Sequence, residues 1–246
     1  MMQCGKLPVL RGVLLLLMVA ALPGLALADA DYGDAPSQYP DAWHGDPNDP
    51  TQNGGAFEWL GAAWDAEPGS INSPDAQGDD TTGVDDEDGI SFVYDQATKT
   101  LNIYATMSVF DRLYRDPLNS YRFRYSTGSG GSDQAIYLRG WWDSNHDGAF
   151  EYIAENIIYA NYNPRTDWTA NTYTAHFQVP NFTPRVEGDI FRFRLAYGGP
   201  SARAITASGG TQFGEVEDYF ITPEPASLAL LGAGVAFLIR RRRRRK

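Results

Sequence analysis

Asp143, Asn145 and Asp147 stand at alternate positions of DSNHDGAFEYIAE, with Gly148 directly after them. A hard cation such as Ca2+ gathers about six to eight oxygens at about 2.3–2.6 Å. The spacing offers three oxygen-bearing side chains to one centre, the glycine permits the bend, and the Ala149 carbonyl adds another oxygen. A helix-flanked calcium loop closes with a bidentate glutamate at its twelfth position. Ala154 stands there instead, with Glu151 and Glu155 close enough to substitute. The expected ligand set is Asp143, Asn145, Asp147, Ala149, Glu151 and Glu155, on a loop whose flanks read as strands. The same residue types also build metal-free turns through side-chain to backbone hydrogen bonds, and that alternative stays open.

A second acidic knot, GDDTTGVDDEDG at 78–89, packs Asp79, Asp80, Asp85, Asp86, Glu87 and Asp88 into one short loop. Like charges at this density need a counter-ion, neighbouring arginines or solvent, which makes Asp85, Asp86, Glu87 and Asp88 secondary Ca2+ candidates. Further on, FGEVEDYFI at 213–221 brings Glu215, Glu217 and Asp218 together. Val216 and Tyr219 do not share one strict alternation, which predicts a bend where that strand begins. A structural ion pair with Arg192 or Arg194 is expected there rather than catalysis. Enzyme chemistry has little else to draw on: the histidines are His44, His146 and His176, and neither GxSxG nor HExxH occurs. A glycosidase needs only two carboxylates, but with 31 acids in the chain their presence discriminates nothing. Trp141, Trp142, Trp168 and the tyrosines between 152 and 173 offer rings on which sugars stack, although rings on strands more often fill a core.

The elements that must position these groups read as strands. Alternation with period two runs through YRFRYS (121–126), QAIYLRGWW (134–142), YTAHFQVP (173–180) and IFRFRLAYG (190–198). In the last, Phe191, Phe193 and Leu195 are expected to point inward and Arg192 and Arg194 outward; in the first, Tyr121, Phe123 and Tyr125 alternate with Arg122 and Arg124. Adding 90–94, 100–110, 152–160 and 215–221 gives about eight strands, the number of a β-sandwich of Ig-like or jelly-roll type. Residues 29–90 differ: they hold 16 acids, no Lys or Arg, and abundant Gly, Pro, Asn and Ser. That segment predicts an acidic, loop-rich arm, which Tyr32, Trp43, Phe57, Trp59, Leu60 and Trp64 pack against the sandwich at 91–222.

Both ends are apolar and cationic. Residues 1–28 have Lys6 and Arg11 before the apolar run Val13 to Ala21, then Pro23-Gly24 and Ala26-Leu27-Ala28. This pattern predicts a signal peptide cut by signal peptidase after Ala28. The only cysteine, Cys4, lies within it, so a processed chain would have neither disulfide nor thiolate metal site. Residues 223–246 combine Pro223-Glu224-Pro225, an apolar run from Ala226 to Ile239 and seven terminal cations. Fourteen helical residues reach only about 21 Å against a core of about 30 Å, a marginal span that snorkelling arginines extend. Cations stay cytoplasmic, so the acidic domain would lie outside. Between the two ends, 30 acids face 11 Lys and Arg. Such a surface repels nucleic acid and draws in cations.

The tail from Pro223 to Lys246 resembles a PEP-CTERM sorting signal, which exosortase-type enzymes recognise and cut. The resemblance implies a transient inner-membrane anchor and processing at Pro223, Glu224 and Pro225. In order, DYGDAP (31–36), LGAAWDAEPGS (60–70), AQGDDTTGVDDEDGI (76–90), WWDSNHDGAFE (141–151) and GEVEDY (214–219) resemble bacterial GEVED-domain surface proteins. That resemblance spans nearly all of 31–221 and implies a β-sandwich surface module. It carries over Glu215, Val216, Glu217, Asp218 and Tyr219, and the Asp143 loop closed by Glu155. The single copy departs from long adhesive surface proteins. Together these features predict a non-enzymatic component of the cell surface or extracellular matrix, stiffened by Ca2+ and bridged by it to anionic exopolysaccharide. A carbohydrate-binding module is the alternative, and a carboxylate-based glycosidase a more distant one.

Overall fold

A computed structural model describes residues 30–45, 57–63, 69–78, 88–115, 124–125, 135–198, 204–211 and 213–222. The signal peptide with Ala28, the acidic residues Asp79 to Glu87 with Asp85 and Asp86, and the tail from Pro223 with Glu224 and Pro225 lie outside them. Within the described residues the chain is all-β, with one short helix.

The first sandwich layer is an antiparallel sheet of β6 (Ala135–Trp142), β7 (Asn156–Tyr162), β9 (Asp189–Gly198) and β11 (Gly214–Ile221), ordered β11-β9-β6-β7. The second is built around β5 (Thr100–Val109). Along one side of it β3 (Glu58–Leu60) and β4 (Ile90–Asp95) follow each other, and β8 (Thr172–Pro180) lines the other. Their facing sides bury Leu101, Ile103, Ala105 and Met107 of β5 against Phe191, Phe193 and Leu195 of β9. Phe92 bridges the layers, tilted on Phe191 and Phe193 at 5.2 and 5.9 Å. The alternation of β5 is the two-sided pattern expected of a half-buried strand.

A third, smaller sheet covers the other side of the β6–β9–β11 layer. It joins β1 (Ala30–Tyr32), β2 (Ala42–Gly45) and β10 (Gly209–Thr211), with β10 parallel to β2. This layer corrects one expectation: Arg192 and Arg194 do not point into solvent but are each 1% exposed. They alternate with the phenylalanines as predicted, yet the side they occupy is itself covered. A strand covered on both sides reads as a continuous buried run, and β6 and β9 do so.

Three further differences have local causes. The strand expected at 152–160 starts only at Asn156, because Glu155 closes the preceding loop. Arg124 and Tyr125, expected on a strand, occupy a turn, and Arg124 faces inward onto Glu58. The bend expected in FGEVEDYFI is absent: β11 pairs with β9 in unbroken register from Gly214 to Ile221. A helix not foreseen, α1 (Pro164–Asp167), starts where the Asn163 side chain accepts from the Arg165 amide ahead of a favourable proline.

Candidate functional site

Strand β11 carries the densest set of buried acids, and its pleat divides them between two sides. Glu215 and Glu217 lie toward the β3–β4 layer, where Glu215 accepts from the Leu60 amide and Glu217 from the Gly89 amide at 3.0 Å. Tyr219, on that same side, donates to Glu217 at 3.0 Å and accepts from the Ile90 amide at 3.0 Å. Asp218 faces the small sheet, takes Arg192 in a bidentate pair at 2.7 Å, and also accepts from the Ala35 amide at 2.9 Å. The Val216 amide donates to Asp31 at 2.6 Å. Each of these acids is at most 1% exposed, except Asp31 at 6%. Buried carboxylates survive only when hydrogen-bonded or paired, and this strand ties them to backbone segments far away in sequence.

Gly214 opens the strand at φ 110°, and a Cβ there would sit 1.8 Å from the Leu195 carbonyl oxygen. Only glycine fits so close a backbone approach.

The arginines on β9 complete the arrangement. Arg192 also donates to the Pro40 and Ala207 carbonyls at 2.6 and 2.9 Å. Arg194 donates to Thr206, Ser208 and Trp43 carbonyls and to Nε2 of His44. Burial first, then the neighbouring Arg192, pulls Arg194 down to about 9, so it remains a cation at neutral pH. Burial likewise lowers His44 well below its ordinary value, reinforced by Arg194. Composition gave no sign of a second clamp, Glu58. It holds Arg124 at 2.6 and 3.0 Å and accepts from the Tyr125 hydroxyl at 2.6 Å.

The Asp143 loop is organised by its own amides. Asp143 accepts from the His146 amide at 2.6 Å, the Gly148 amide at 3.2 Å and the Tyr39 hydroxyl at 2.6 Å. Glu155 accepts from the amides of Ser144, Asn145 and Glu151. Asp147 accepts from the Ala149 amide, and the Asn145 amide nitrogen bridges Asp147 and Glu151 at 3.1 and 3.3 Å. Hence Asp143, Asn145, Asp147, Glu151 and Glu155 meet in one loop, whereas Ala149 contributes its N–H there. Most of the oxygens that would face a cation are engaged by N–H donors, as in the metal-free turn. Among the described residues no group of three or more His, Cys, Asp or Glu is arranged to hold a metal ion. The Glu151 carboxyl is nonetheless raised, first by desolvation from its neighbours and then by the charges of Glu155 and Asp147. Asp88, the described residue of the acidic knot, turns back to accept from the Ala62 amide at 2.8 Å.

Trp141 and Trp168 are 0% and 3% exposed, and Trp142 stacks on Phe191 while donating to Asp189 at 3.0 Å. No sugar can stack on the two buried rings. Glu215 and Glu217 are equally inaccessible.

Residues 137–222 match the GEVED domain, and residues 222–245 match the PEP-CTERM protein-sorting motif. No curated protein and no solved structure matches the chain. The GEVED match starts inside β6 and takes in β7 to β11. Strands β1 to β5 and the segments between them lie outside it, although Leu60, Gly89, Ala35 and Asp31, which the β11 acids and Val216 engage, are found there. The PEP-CTERM motif implies an exosortase-sorted protein exported to the cell surface or beyond it, and the GEVED domain is a surface or extracellular module. Both are non-catalytic features.

Proposed function

We propose that this chain is a non-enzymatic building block of the cell surface or extracellular matrix. It is held briefly in the inner membrane by its tail, cut near Pro223-Glu224-Pro225, and engages neighbouring matrix polymers. The sorting motif carries this reading. The inward-turned acids support it, since carboxylates used as backbone clamps are unavailable for acid–base chemistry. Ca2+ is the expected stiffening ion. Support for it comes from Asn145, whose side-chain nitrogen lies between the exposed carboxylates of Asp147 and Glu151, a position of negative potential that a cation would take over. Rotating that amide would present its oxygen beside theirs. A cation held there could also bridge to the carboxylates of an anionic exopolysaccharide.

Intact-mass measurement of the protein from producing cells, joined to thermal melting with and without chelator, tests this. Cuts after Ala28 and next to Pro-Glu-Pro are expected, with a melting point that falls on chelation in the parent but not in Asp147→Asn/Glu151→Gln. An uncut tail would sink the sorting reading, and chelator-independent melting of the parent would remove Ca2+.

A further inference from the structure

The outer side of the β4–β5–β8 layer has a composition unlike the rest of the chain. These three strands contain a single carboxylate, Asp95 at the end of β4, and no Lys or Arg, in a chain with 31 acids and 20 bases. Outward positions pair across the strands in rungs: Ser91 with Tyr104 and His176, then Val93 with Asn102 and Gln178. Tyr104 and His176 are exposed and stack at 4.6 Å with planes 9° apart.

That separation is close to the spacing between strands, about 4.8 Å, so the two rings stand upright with their normals running across the sheet. His176 covers one side of the Tyr104 ring. The other side looks toward Ser91, whose small, exposed side chain leaves the ring open above β4. Hydrogen bonds hold the wall in place. Asn102 Oδ1 accepts from Gln178 at 2.9 Å and pairs with His176 Nε2 at 3.0 Å, and its nitrogen donates to the Val93 carbonyl at 3.2 Å. Beyond the rings, the Thr106 and Thr174 hydroxyls meet at 3.0 Å.

We propose that this side binds a neutral polysaccharide, with one sugar ring seated on the open side of Tyr104 above Ser91. An aromatic ring offers the apolar C–H side of a hexose a stacking partner, while amides and hydroxyls match its ring of hydroxyl groups. Charge selects the polymer. The acid excess of the whole molecule repels anionic chains, and this uncharged side leaves a neutral one without penalty. The proposal rests on the extracellular reading above, but its site, its ligand and its independence from Ca2+ differ from those of the Asp143 loop.

Affinity electrophoresis of the full chain through gels containing laminarin, dextran, hydroxyethyl cellulose or alginate tests it. Retardation by at least one neutral glycan is expected, unchanged by chelator. Tyr104→Ala should weaken it about tenfold, the loss of one stacking contact. Ser91→Tyr fills the space beside Tyr104 without removing any native contact and should weaken it similarly, whereas Tyr104→Phe should retain it. No retardation by any neutral glycan, or retardation that both Tyr104→Ala and Ser91→Tyr leave intact, would overturn the proposal. Retardation by alginate alone that disappears with chelator would overturn it too, and would leave the calcium reading standing.

Discussion

His44 sits between a carbonyl and a cation, and that fixes its proton. Its Nε2 accepts from Arg194 at 3.0 Å, so the ring must carry its hydrogen on Nδ1, which lies 3.1 Å from the Phe213 carbonyl oxygen. A second proton would place two cations in contact in a fully buried site, close to Arg192 and with Asp31 as the nearby acid. The folded value therefore lies below the unfolded value of about 6.5. At high pH both states are neutral and the group has no effect on stability. As pH falls below about 6.5 the unfolded chain takes up a proton that the folded chain refuses, and stability drops by up to about 1.4 kcal/mol per pH unit. Urea unfolding from pH 8 to pH 5 should show this acid loss. In His44→Gln, whose amide can accept from Arg194 and donate to Phe213, the slope should be shallower; equal slopes would show that His44 does not titrate on unfolding.

Between β9 and β11 the controlling unit is the cross-strand pair. Asp218 stands opposite Arg192 in register, and both are buried. Removing one partner of such a pair strands the other, which costs far more than the pair itself is worth. Asp218→Asn should lower unfolding free energy by about 3–5 kcal/mol, measured by chemical denaturation, because the amide keeps the shape but not the charge. A loss below about 1 kcal/mol would mean that the Pro40 and Ala207 carbonyls alone satisfy the guanidinium. The pairing also explains why β11 needs no bend. Val216 and Tyr219 are on opposite sides of a regular strand that is covered on both, so the acids between them, Glu217 and Asp218, are as buried as Val216.

At the scale of the molecule, the acids of the segment that matches the GEVED domain close the fold rather than decorate it. They reach back to Ala35, Leu60 and Gly89, and Val216 to Asp31, over separations of 128 to 185 residues. A fragment of residues 137–222 alone lacks all of those partners and the β5 side of the core. Its near-UV circular dichroism and proton NMR dispersion should be those of a chain without fixed packing, while residues 29–222 should unfold in one cooperative transition. A dispersed spectrum from the fragment would show that the matched segment is autonomous.

Strand positions, the Asp143 turn and the C-terminal sorting motif are local properties. Alternation, Gly and Asx spacing, and runs of apolar and cationic residues are written in neighbouring residues, and physical chemistry acts on them at that range. Period-two alternation says that Arg192 and Arg194 share a side, but not whether that side meets water. That depended on β1, β2 and β10 covering it, with β2 meeting β10 and Arg194 across 150 residues or more. The fate of the β11 acids was non-local. Whether a carboxylate seeks a cation, an arginine or an amide is settled by which donors the folded chain brings within about 3 Å, and for Glu215, Glu217 and Asp218 the amide donors come from segments far away in sequence.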